Sequence, residues 1–345
     1  MSVAGRSPHR AAVVAGLGGA LPETVVTNHE IAARLDTSDE WIRTRTGIRE
    51  RRRVAPGQST VDLAEEAGRA ALGGGSADAV VLATSTPGQL CPASAPQVAA
   101  RLGLGTALAL DVNAVCSGFV YALATAAGFI SAGVAERVLV IGADVFSSLI
   151  DPDDRTTVPI FGDGAGALLL RAGEPGERGA LGPFDLHSEG ELAKLLWVEA
   201  GGAAQRVPED PKDRFLVMQG TAVFRQACAR MAESSRAVLE QAGWMVGDVD
   251  RFVGHQANIR ILQATAKQLG MPSDTVVSNI DRVGNTSAAS IPLALADAVA
   301  DGSLMPGHRV LLTAFGAGLT WGSTVLTWPE VAVPAAVGGT AREWL

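Results

Sequence analysis

Short aliphatic runs alternate with Ala-rich, helically spaced segments along the first half of the chain. In order they read AAVVAGLG (11–18), VDLAEEAGRAAL (61–72), ADAVVLATS (77–85), PQVAARLG (96–103), TALALDV (106–112), GFVYALATAAGFISAG (118–133) and RVLVIGAD (137–144). Several aliphatic runs are apolar at consecutive positions, which predicts strands covered on both faces. This alternation predicts an α/β protein. Its helices are rich in the small residues that allow a helix to lie closely between two sheets.

The pattern occurs twice. ADAVVLATST (77–86) resembles VDRFVGHQAN (249–258), and RVLVIGAD (137–144) resembles RVLLTAFGAG (309–318). Both pairs share one offset, 172 residues (78 to 250, 138 to 310). Between these anchors each half has a helical stretch ending in an LG turn, at RLGL (101–104) and QLGM (268–271). The offset carries Cys116 onto Ala288, inside GNTSAAS (284–290). Two α/β halves facing each other would bring those two helix starts together at a pseudo-twofold axis. The expected division is 1–180, carrying the cysteine, and 181–345.

Composition narrows the class. A chain of 345 residues is too long for one small core. Its 47% hydrophobic and 19% charged residues are those of a folded protein. A net charge of −8 argues against a general nucleic-acid binder. The one dense basic run, RERRR (49–53), reads as a solvated loop. Cys91, Cys116 and Cys228 form no CxxC pair, and the five histidines show no HExxH spacing, so neither a disulfide framework nor a metal is expected. No apolar run approaches the roughly 20 residues of a membrane span. SPHRAAVVAGLGGALPE (7–23) has a superficial signal-peptide order, but its apolar part is short and glycine-broken, so it reads as a first buried strand and turn. A cytoplasmic protein with no bound cofactor is expected.

DVNAVCSGFV (111–120) places Cys116 where an aliphatic run stops and a helix-prone run begins. A helix N-terminus presents unpaired N–H groups and partial positive charge, which favour the thiolate, the nucleophilic form. A free cysteine is also among the most buried residue types, and Cys91 and Cys228 keep that structural reading. Company distinguishes Cys116. His255 follows an apolar strand in GHQANIRI (254–261), and Asn285 opens a helix in GNTSAAS. Each is weak alone; at matching edges of two repeated halves they predict a shared pocket.

SDEWIRTRTGIRERR (38–52), DVNAVCSGFVYAL (111–123), FGDGAGALLL (161–170), GHQANIRI (254–261), GNTSAASIPLAL (284–295) and FGAGLTWGS (315–323) occur in the order found in β-ketoacyl-acyl carrier protein synthases III, and the chain resembles that family over nearly its whole length. The resemblance implies a thiolase fold, two pseudo-symmetric βαβαβαββ halves in five αβαβα layers. It implies a Cys116–His255–Asn285 triad and a two-stage reaction. Cys116 takes an acyl group from a short or medium acyl-coenzyme A, and decarboxylating condensation with malonyl-acyl carrier protein follows. Backbone N–H groups of Cys116 and Gly318 are the expected oxyanion donors. Trp41, Arg45 and Arg155 match coenzyme A positions, and Arg225, Arg260 and Lys267 match a basic rim suited to an acidic carrier protein. A homodimer is implied, with TALALDV at the junction.

Three stretches depart from the family pattern. Cys91, in GQLCPAS (88–94), replaces a large aromatic that reaches the partner's acyl pocket. Thr221 and Ala222, in FLVMQGTAVFRQA (215–227), replace an Asn-Glu pair near Met218, and EAGGAAQRVPEDPKD (199–213) is an unusual loop. Cys91, Met218 and Thr221 are therefore the expected acyl-pocket residues, with changed primer choice in a fatty-acid or aromatic polyketide pathway. Three other readings compete. A dinucleotide-dependent oxidoreductase would need VVAGLGGA (13–20) or FGDGAGA (161–167) to fit GxGxxG, and neither does. An acyltransferase of the same fold would use Cys116 and His255 without decarboxylation, and Asn285 speaks against it. A noncatalytic carrier-binding protein would not require all three residues.

Overall fold

The computed structural model describes residues 10–331; residues 1–9 and 332–345, the outer ends of the two expected halves, lie outside that range. Consecutive β-branched and aliphatic residues make the strands. A first sheet has the order Ala11–Ala20, Gly164–Gly173, Arg137–Asp144, Ala79–Ala83, Leu108–Val112. The second repeats it as Leu181–Ser188, Thr320–Thr327, Arg309–Gly316, Arg251–Gly254. The 172-residue offset holds at the level of register: Ala79 pairs with Val138 in one sheet and Arg251 with Val310 in the other. Even the loop chemistry repeats. The Asp78 carboxylate accepts the Arg137 N–H at 2.9 Å, and Asp250 accepts the Arg309 N–H at 2.8 Å.

The repeat fails at one edge. Leu108–Val112 should recur at 280–284, yet a short helix, Ile280–Val283, stands there, and a single Phe252–Val276 bridge extends the second sheet. Among the described residues, the Leu108–Val112 strand therefore has no counterpart.

Helices cover both sheets and separate them. Thr60–Leu72 and Ala95–Arg101 pack on the outer face of the first sheet through Leu63, Ala67, Leu82 and Ile141. Gly220–Ala242 and Ile259–Leu269 cover the second through Met231, Phe252, Leu262 and Leu311. Between the sheets lie Gly118–Ser131 and Ser290–Ala300, whose Phe119, Leu123 and Leu295 share one core with Val140 and Leu312. The result is the five-layered αβαβα arrangement, and the middle helices are Ala-rich because two sheets press on them. The approach is close: a Cβ on Gly142 would stand 2.3 Å from the Ala288 carbonyl oxygen. No helix among the described residues is long and apolar enough to cross a membrane.

The RERRR run is not a solvated loop. Glu50–Arg53 is a strand paired with Thr24–Thr27, and Arg51 is fully buried. Its guanidinium donates to Val26 O at 2.9 Å, Asn28 Oδ1 at 2.7 Å and Pro159 O at 2.7 Å. Burial lowers its pKa to about 10, so it stays charged at neutral pH. Three carbonyl acceptors in place of water overturn the solvated reading. Replacing Arg51 by Leu leaves those acceptors unpaired, and a loss of about 3 kcal/mol or more is expected. Urea unfolding of the variant checks this, and an unchanged midpoint would contradict it.

Candidate active site

Cys116 sits in a single 3-10 turn, Val115–Ser117, that runs directly into the Gly118–Ser131 helix. Its pseudo-symmetry mate is the Ser287–Ala289 turn ahead of Ser290–Ala300. Both turns carry a non-glycine residue in the left-handed region at the same offset, Val115 at φ 47° and Ser287 at φ 50°. Such a conformation costs on the order of 1–3 kcal/mol and persists where its surroundings over-determine it, as at functional sites. The surroundings here are close. A Cβ on Gly316 would lie 2.9 Å from the Cys116 and Ser117 nitrogens, so only glycine lets this strand end reach the Cys116 turn.

Asp144, at the end of the Arg137–Asp144 strand, ties the Ser287–Ala289 turn of one half to the 84–86 loop of the other. Fully buried, it accepts Ser85 N–H at 2.8 Å, Ser85 Oγ at 2.9 Å, Thr86 Oγ1 at 3.0 Å and Thr84 Oγ1 at 3.2 Å. From the other half it accepts the Ala288 N–H at 3.1 Å.

Cys116, His255 and Asn285 line one cavity of about 500 Å³. Burial pushes the Cys116 thiol up to about 12, and the Asp144 carboxylate adds to the rise. The Cys116 Sγ lies 3.7 Å from Ser287 Oγ. His255 is buried, with Nδ1 2.7 Å from Ser290 Oγ, and burial brings its pKa down to about 3, so the imidazole is neutral. Asn285 is held by its backbone, which donates to Ile160 O at 2.9 Å and accepts Gly162 N–H at 3.0 Å. Its side-chain Oδ1 accepts Ser287 N–H at 2.9 Å. The amide NH₂ edge therefore has no partner among the described residues and is left to donate to a ligand.

The same cavity is also lined by the apolar Phe146, Ile160, Phe161, Leu196 and Met218, by Thr221, and by Trp41, Arg45, Arg225 and Arg260. Four predicted residues fall outside the lining. Arg155 stacks 5.8 Å above the Trp41 ring and pairs with Asp36 at 2.8 Å, so it adjoins the entrance. Lys267 is exposed two turns along the Ile259–Leu269 helix from Arg260. Cys91 is exposed beside Leu90, itself 93% exposed, on a projecting loop. Gly318 is exposed in the loop whose Thr320 Oγ1 lies 2.7 Å from Ser117 Oγ. Sequence reasoning missed Asp144, Gly316, Ser287 and Ser290. The signal for Ser287 was present, since it is one residue from the image of Cys116 under the offset.

The family model for 3-oxoacyl-[acyl-carrier-protein (ACP)] synthase III matches residues 110–190, and its C-terminal counterpart matches 239–328. The chain is 56% identical over 330 residues to the beta-ketoacyl-[acyl-carrier-protein] synthase III 3 of Streptomyces coelicolor, covering 93% of this chain and 98% of that protein. It is similar to the crystal structure of 3-oxoacyl-(acyl carrier protein) synthase III from Pseudomonas aeruginosa, with a TM-score of 0.89 and 52% identity over 94% of this chain and 100% of that one. The priming β-ketosynthase of the R1128 polyketide biosynthetic pathway gives a TM-score of 0.87 at 36% identity, over 94% and 98% of the two chains. With these relatives, and with its cysteine turn, neutral histidine and fixed asparagine converging on one cavity, the chain belongs to the β-ketoacyl-acyl carrier protein synthase III family of acyltransferases.

Proposed function

We propose that this chain condenses an acyl-coenzyme A primer with malonyl-acyl carrier protein, releasing carbon dioxide and a 3-ketoacyl-carrier product that starts a fatty-acid or aromatic polyketide chain. The observation that carries the reading is the convergence of Cys116, His255 and Asn285 on one cavity whose lining includes both apolar and basic residues. Cys116 Sγ attacks the primer thioester; the carbon–sulfur bond to coenzyme A breaks, and the thiol proton leaves with the coenzyme A sulfur. The oxyanion is received by the backbone N–H of Cys116, and the 316–319 stretch whose Gly316 abuts the Cys116 turn is the place for a second donor. Malonyl-carrier protein then loses carbon dioxide, and the electron pair of the broken bond becomes an enolate. That carbanion attacks the acyl group, and the Cys116 sulfur leaves and takes up a proton from solvent, the one proton the overall condensation consumes.

His255 suits this role because it is neutral. Ser290 Oγ lies 2.7 Å from His255 Nδ1; with the Ser290 proton given to Nδ1, the ring proton sits on Nε2. Nε2–H and the Asn285 amide then donate together to the enolate oxygen. Each such donor is worth roughly 10²–10³ in rate. A carboxylate at Asn285 would repel that charge, which separates this reading from a non-decarboxylating acyltransferase.

Trp41 and Arg45, with Arg155 over the tryptophan, offer coenzyme A a stacking face and forked donors. Arg225, Arg260 and Lys267 offer an acidic carrier protein a basic rim in an otherwise acidic chain. Met218 and Thr221 shape the primer end. The division into halves at 180/181 falls where the second sheet begins, at Leu181. A homodimer would form through Leu108–Val112, an edge strand of the first sheet, and would carry Cys91 toward the partner's primer end. No metal or bound cofactor takes part in this scheme, and a cytoplasmic location suits its coenzyme A and carrier-protein substrates.

Asn285→Asp should still form acyl-Cys116 but release carbon dioxide from malonyl-carrier protein at least about 100-fold more slowly. Mass spectrometry of enzyme and carrier follows both steps; undiminished decarboxylation would contradict the assignment. His255 also makes a pH prediction. Its folded pKa, about 3, lies below the ordinary value of 6.5, so the unfolded chain takes up a proton first as pH falls. Its contribution to stability is present above pH 6.5 and is lost toward pH 3, by at most about 1.4 kcal/mol per pH unit. Urea titrations should therefore show wild type losing stability more steeply than His255→Gln across that window, and parallel curves would contradict a buried neutral imidazole.

A further inference from the structure

Ser287 stands where the pseudo-symmetry puts the image of Val115, in the turn that faces the nucleophile. It is fully buried, its φ is 50°, and its Oγ lies 3.7 Å from Cys116 Sγ. A glycine would take that backbone conformation without strain. A serine there needs a reason, and the sulfur supplies one.

We propose that the Ser287 hydroxyl is a further catalytic group of this site, accepting the Cys116 S–H at rest and turning to donate to the sulfur as it becomes a thiolate. This rests on the reading of Cys116 as the nucleophile. No proton is added to the balance: the thiol proton leaves with the coenzyme A sulfur, and Ser287 keeps its own. The charged and titratable groups around the sulfur are few. Asp144 lies close enough to act on its charge, and His255, Arg45, Arg225 and Arg260 share its cavity. Charge on Asp144 opposes the thiolate, while burial raises the pKa of that carboxyl itself, and a hydrogen bond from Ser287 favours the thiolate. Asp144 also holds both the turn and the hydroxyl: the residue after Ser287 donates its backbone N–H to this carboxylate, and the Ser287 side chain hydrogen-bonds to it at rest, a contact the hydroxyl gives up when it turns to the sulfur. It is thus a positioning residue for the hydroxyl.

Two variants of the full chain separate chemistry from backbone geometry. Ser287→Ala removes the hydroxyl and keeps the strain, whereas Ser287→Gly removes both and suits the turn. The rate of iodoacetamide alkylation at Cys116, followed by mass spectrometry against pH, reads the thiolate. In both variants its midpoint should rise by about one pH unit, and single-turnover acylation by acetyl-coenzyme A should slow about tenfold. A glycine variant with the wild-type alkylation profile and acylation rate would overturn the proposal and leave Ser287 a backbone role. A wild-type enzyme that acquires no acyl group on Cys116 would instead overturn the nucleophile reading on which it rests.

Discussion

The site depends on two helix starts, one from each half of the chain, being brought into contact between two sheets. Glycine makes the contact sterically possible, at Gly142 under the Ala288 turn and at Gly316 under the Cys116 turn. Asp144 makes it specific, because one buried carboxylate gathers donors from the 84–86 loop of its own half and the Ala288 N–H of the other. Burial raises the pKa of this carboxyl, and the donors gathered around it pull against that rise. The left-handed residues Val115 and Ser287 lie in the two turns that meet there. The position of Cys116 and the fold are therefore one problem, solved once by the close packing of the middle layer.

Burial explains the division of labour. A thiol raised to about 12 needs help from the helix start and its hydrogen bonds to react, while a histidine lowered to about 3 is a poor proton acceptor but a steady neutral donor. Asn285 is held through its backbone by Ile160 and Gly162, on the segment whose Pro159 carbonyl is tied down by Arg51. The amide donor and the apolar wall at Ile160 and Phe161 thus share one support.

Much of this was legible in the sequence. The 172-residue offset survives as strand register, from Ala79–Val138 to Arg251–Val310, because repeated packing demands repeated aliphatic spacing. Cys116, His255 and Asn285 were singled out by residue type and place, and the family resemblance assigned their roles. What was hidden depended on partners distant in the chain. Nothing local to RERRR announces that Arg51 meets the Pro159 carbonyl, 108 residues away. The lost fifth strand at 280–284 is equally silent, since its replacement by Ile280–Val283 is decided by packing rather than by composition. Ser287 looks like one more small residue in a helix start until the fold sets it against the sulfur.

The central claim is that the sulfur at this shared helix start carries the acyl group between two substrates. Rapid mixing with acetyl-coenzyme A, then with malonyl-carrier protein, followed by intact-mass spectrometry at each stage, tests it most directly. The account predicts an acetyl group on Cys116 that disappears as 3-ketoacyl-carrier protein and carbon dioxide form at matching rates. An acetyl group that persists after malonyl-carrier protein is added, or a product formed by the Cys116→Ala variant, would contradict it.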